Sequence, residues 1–89
     1  MDVFEKILLN YGGFILISIR NIFQEKEDYK QCAEINKVLN KYDVSTTITA
    51  EDWIVEIWRK GMSGDIAIAN APSYLIEALK MCKEQGLFK

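Results

Sequence analysis

The sequence predicts a small α+β domain: an N-terminal helical hairpin, a short antiparallel β-hairpin or three-stranded sheet, and a C-terminal helix, in one globular unit spanning residues 1–89. Three observations lead there. Apolar residues recur at helical spacing as far as Tyr42. Between Ser45 and Ala69, β-branched and aromatic residues alternate on either side of a glycine-containing turn. Helical spacing resumes after Pro72 and stops at Gly86. The competing architecture is an all-α bundle, because the middle segment also admits a helical reading.

Phe4, Ile7, Leu8 and Tyr11 form the first stripe, with Asp2 and Glu5 in the opening turn, where carboxylates complement the helix dipole. Gly12-Gly13 then breaks or bends the chain, since a glycine costs about 1 kcal/mol against alanine inside a helix. Residues 14–23 read two ways. Ile15, Ile17 and Ile19 alternate with Leu16, Ser18 and Arg20 as in a strand, yet Ile15, Ile19, Ile22 and Phe23 continue the helical stripe from Tyr11. The next segment favours the helix. A charged turn at 24–28 leads into Tyr29, Cys32, Ala33, Ile35, Asn36, Leu39 and Tyr42, and two such stripes make an αα-hairpin. Over Tyr29-Lys30-Gln31-Cys32-Ala33-Glu34-Ile35 the chain resembles the second helix of UVR-type hairpins, which are protein-interaction elements. The shared aromatic, small pair and aliphatic suit any amphipathic hairpin, so they define no family.

Ser45-Thr46-Thr47-Ile48-Thr49 changes the texture to β-branched and polar. Trp53, Val55, Ile57 and Arg59 alternate with Ile54, Glu56, Trp58 and Lys60, which predicts a strand. Gly61-Met62-Ser63-Gly64-Asp65 reads as a turn and Ile66-Ala67-Ile68-Ala69 as the returning strand. The helical rival rests on Thr49-Ala50-Glu51-Asp52, which has the form of a capping box. Residues 72–85 predict the C-terminal helix, with Pro72 in its first turn. Leu75, Ile76, Leu79, Met81 and Cys82 form its apolar side, and Lys80 and Lys83 lie near its end.

Composition narrows function. The chain has no histidine, which removes His-based triads, His metal ligands and the usual base at neutral pH. Cys32 and Cys82 form no CxxC pair and read as reduced, partly buried thiols, with Lys30 and Lys83 as the only nearby bases. Glu51, Asp52, Glu56 and Asp65 offer carboxylates around the expected hairpin, but acids that bound a turn are ordinarily solvated. Gly61-Met62-Ser63-Gly64 matches neither phosphate-binding glycine pattern. The expectation is a protein without catalytic residues, metal or cofactor. No basic leader precedes the stretch 7–19, whose thirteen residues fall short of the about 20 that span a bilayer. A cytoplasmic, membrane-free protein is expected.

Two binding readings remain. Trp53 and Trp58 are five apart, so on either a strand or a helix they face different ways and only one enters the core. The favoured reading is a non-enzymatic protein-binding or regulatory module that uses an aromatic surface. Trp58 would lie at the contact with Glu56 and Arg59 at its rim, against a protein partner or a second copy in a homodimer. The alternative is nucleic-acid binding through Arg59, Lys60, Lys80 and Lys83. Against it, eleven basic and thirteen acidic residues leave a net charge of −2.

Overall fold

The computed structural model describes residues 2–45, 49, 51–53, 55 and 64–88, with backbone alone for 64–69. Helix α1 (Val3–Tyr11) starts at Asp2, whose carboxylate accepts the Phe4 N–H at 3.2 Å. It ends at Gly12, with φ 91° and ψ 171°, a combination open in practice only to glycine. Helix α2 (Gly13–Glu25) comes at once, then α3 (Tyr29–Lys41) and, later, α4 (Gly64–Glu84). Residues 51–53 and Val55 are also helical.

Three helix ends share one device. After α2, the Asp28 N–H donates to the Phe23 carbonyl and the Glu27 N–H to that of Gln24. After α3 the pairs are Val44 to Leu39 and Asp43 to Asn40, and after α4 they are Leu87 to Cys82 and Gly86 to Lys83. These are Schellman turns, which satisfy the last orphan carbonyls and need one residue at positive φ. Gly86 supplies it at 71°, but Glu27 (59°) and Asp43 (56°) hold a side chain in the left-handed region. Glu27→Gly is therefore expected to stabilise the fold by about 0.5–1 kcal/mol, and Asp43→Gly by less, because aspartate tolerates that region better. Urea-unfolding midpoints test this; an unchanged or lower midpoint for Glu27→Gly would refute it.

α2 packs against α1, α3 and α4, which is why it carries most of the core: Ile15, Leu16, Ile17, Ile19 and Phe23 are all buried. Phe4 meets Phe23 edge-on, ring centroids 6.2 Å apart, so α1 and α2 run antiparallel. Ile7 and Leu8 from α1, Ile35, Val38 and Leu39 from α3, and Ala78 and Cys82 from α4 share the interior with them. Arg20 on α2 donates to Asn36 on α3 at 3.1 Å. Glu5 accepts from Lys41 (3.1 Å) and from the Tyr42 hydroxyl (2.8 Å), and these two donors, the tyrosine first, hold its carboxyl below the usual range. The Tyr11 hydroxyl donates to Glu77 at 2.9 Å, and Phe88 stacks on Phe23 at 4.7 Å. The end of α1 thus lies beside the middle of α4, and the end of α2 lies beside the residues after α4. α2 and α4 therefore run in the same direction.

The α+β expectation is overturned. No strand occurs among the described residues, and the architecture is the all-helical alternative. The capping box decided the contest at Thr49: its N–H donates to Asp52 Oδ2 (3.3 Å), its hydroxyl accepts the Asp52 N–H (3.2 Å), and its carbonyl accepts the Trp53 N–H. The expected return strand 66–69 is helical and belongs to α4. Two of its four residues are alanine, the strongest helix former, and an alternation that short carries little strand information. Pro72 consequently lies inside α4 rather than in its first turn, where it can donate nothing to the carbonyl four residues back. Of the expected turn at 61–65, Gly64 and Asp65 are helical and open α4, and residues 61–63 lie outside the described residues. Among the described residues, no helix is long and apolar enough to cross a membrane.

Candidate groove between α2 and α4

Trp53 lies in the core, only 2% exposed. Its indole N–H donates to the Tyr11 carbonyl at 3.0 Å, and its ring stacks on Phe14 at 5.6 Å. It lies so close to Gly12 that a Cβ there would stand 2.8 Å from Nε1. Trp53 therefore closes the α1–α2 junction and is a structural residue. Trp58, Glu56 and Arg59, the expected contact residues, lie outside the described residues, as does Lys60.

Burial separates the two thiols. Cys32 and Cys82 are both free. Cys82 is fully buried, and that burial pushes its thiol up to about 11. At pH 8 only about one such thiol in a thousand is ionised. Cys82 is expected to react with a thiol reagent only on unfolding, so native protein should show at most the Cys32 equivalent and denatured protein two. Fast reaction of both in native protein would contradict this burial. Among the described residues no three His, Cys, Asp or Glu side chains gather as a metal site. Glu51 and Asp52 are exposed, and Asp52 is engaged by Thr49.

A concave surface does form where α2 and α4 lie side by side. Ile22 from α2, Ile76 and Leu79 from α4, and Phe88 make its apolar floor. Lys26, Lys80 and Lys83 stand around it, and no acidic side chain lines it among the described residues. The groove is open and measures about 770 Å³. Local sequence explains the stripe: Ile76, Leu79, Lys80 and Lys83 fall at i, i+3, i+4 and i+7, one face of α4. Phe88 arrives because the Gly86 turn sends the chain back over α2, where Lys26 Nζ lies 5.9 Å from its ring centre. Ile76 is 65% exposed although its spacing assigns it to the apolar side of the C-terminal helix. Lys80 and Lys83 are readable in the sequence as a basic pair, whereas Lys26 and Phe88 join them only through the tertiary fold. Lys80 and Lys83 have no carboxylate partner among the described residues.

No protein family, curated protein or solved structure matches the chain. The functional reading therefore rests on the groove itself.

Proposed function

We propose that the chain is a non-enzymatic protein-binding module that receives a partner segment in the α2–α4 groove. The observation that carries this reading is Ile76, a large aliphatic side chain 65% exposed on a concave floor with Leu79 and Ile22. A buried isoleucine contributes roughly 1.5–3 kcal/mol relative to an exposed one, so covering Ile76 favours binding. The aromatic contact expected at Trp58, with Glu56 and Arg59, belongs to the same proposal as a second region of the surface. The nucleic-acid alternative retains Lys80 and Lys83, but an apolar floor gives a phosphate backbone nothing to bind, and the chain's net charge of −2 opposes a polyanion.

The test is selection from a random peptide library on the folded protein, with counter-selection on Ile76→Glu. Peptides that bind the purified protein in solution and lose affinity for that variant support the reading. Failure to obtain any such peptide, or a mobility shift with single-stranded oligonucleotides that depends on Lys80 and Lys83, would overturn it.

A further inference from the structure

We infer that the groove's occupant is an acidic amphipathic helix of a partner protein, an inference that rests on the protein-binding reading of this surface. The charge arithmetic points to an acid. Three lysines line the groove without a lining carboxylate among the described residues. Lys26 caps α2 and Lys83 lies in the last turn of α4, so the negative ends of two helix dipoles face them. Each dipole end amounts to roughly half a charge, which leaves the described lining of the groove at about +2, with Asp28 lying outside it on the far side of Lys26 and Phe88. That local sign is opposite to the chain's own −2. It would draw in carboxylates from solution.

Shape selects the helix. The apolar floor comes from two helices that lie side by side and run in the same direction, and among the described residues Phe88 alone joins it from outside them. A third helix laid on it would place side chains at i, i+3, i+4 and i+7 over Ile22, Ile76 and Leu79, and glutamates on its flanks beside the lysines. A second copy of this chain is a poor occupant. Two-fold docking of identical grooves would set Lys80 and Lys83 against the same lysines of the other copy. An anionic amphiphile shares the chemistry of tail and head, but the open trough would leave much of an acyl chain in water.

The experiment uses the full chain and two synthetic helix-forming peptides with the same leucine stripe, one flanked by glutamates and one by lysines. Fluorescence anisotropy should show the acidic peptide binding at least about tenfold more tightly at low salt, with the preference shrinking as salt rises. Ile76→Glu should weaken the acidic peptide by about thirtyfold or more. The double variant Lys80→Glu/Lys83→Glu should reverse the preference in favour of the basic peptide. All three positions are exposed, and unchanged thermal unfolding would verify that the variants fold. Equal affinity for both peptides, lost in Ile76→Glu, would refute the acidic partner and leave the protein-binding reading standing. Binding of neither peptide would also refute it, as would Ile76-dependent binding of anionic phospholipid vesicles in place of the acidic peptide.

Discussion

Trp53→Ala is expected to destabilise the protein by about 3–5 kcal/mol, the range for removing a buried large aromatic. For a chain of 89 residues, whole-domain stability is of the order of 4–13 kcal/mol, so the variant would sit near its unfolding threshold. The effect has two parts. One is the lost stack on Phe14 and the cavity left between the α1–α2 junction and the segment that carries residue 53. The other is the Tyr11 carbonyl, at the last residue of α1, which accepts the indole N–H and would be left without that donor. Trp53→Phe separates them, because an aromatic ring is kept and the N–H is lost. It should cost about 1–3 kcal/mol, the range for a buried polar group deprived of its partner. Urea unfolding followed by far-ultraviolet circular dichroism measures both. A loss below about 1 kcal/mol for Trp53→Ala would show that the junction does not depend on the indole.

The dominant role of one tryptophan shows where sequence and fold part company. The first and third helices are legible because their stripes are long: Phe4 to Tyr11 and Tyr29 to Tyr42 each sample two turns or more, and periods of 2 and 3.6 diverge over that length. Residues 14–23 fit both periods, and only the helix that follows favours the helical reading there. Ile66 to Ala69 samples one turn, where the two periods cannot be told apart. The better signal there lies at Thr49 and Asp52, whose reciprocal bonds satisfy two backbone donors at a helix start. Pro72 misleads for a related reason. A proline at a helix start is common, so its position suggests a boundary, although the helix begins eight residues earlier at Gly64. At the groove, the α4 half is visible as Ile76, Leu79, Lys80 and Lys83 on one face. Ile22 and Lys26 are remote in sequence from that face and reach it only through the packing of α2 alongside α4, and Phe88 reaches it through the turn at Gly86.

At Gly12 two penalties coincide. Alanine at φ 91° and ψ 171° occupies a region that costs about 1–3 kcal/mol for any residue with a Cβ. The added methyl would also stand 2.8 Å from the Trp53 indole nitrogen, closer than van der Waals contact allows. Overpacking of that kind adds about 1–3 kcal/mol, so Gly12→Ala is expected to cost roughly 2–6 kcal/mol in all. Gly86 provides the comparison. It too has positive φ, 71°, but a Cβ there meets nothing within 4 Å, so Gly86→Ala should cost only about 1 kcal/mol of backbone strain. A double-mutant cycle then divides the Gly12 penalty. In the Trp53→Phe background the 2.8 Å contact to the indole nitrogen is gone, while the ring atom that stands 3.0 Å away, Cδ1, has a counterpart in phenylalanine. Gly12→Ala should therefore lose part of its steric penalty and keep its strain. The two substitutions should therefore be less harmful together than the sum of their separate costs, by about 1–2 kcal/mol, measured by urea unfolding. Strict additivity would mean that the glycine is required by the turn alone, and that the indole closes over it without having selected it.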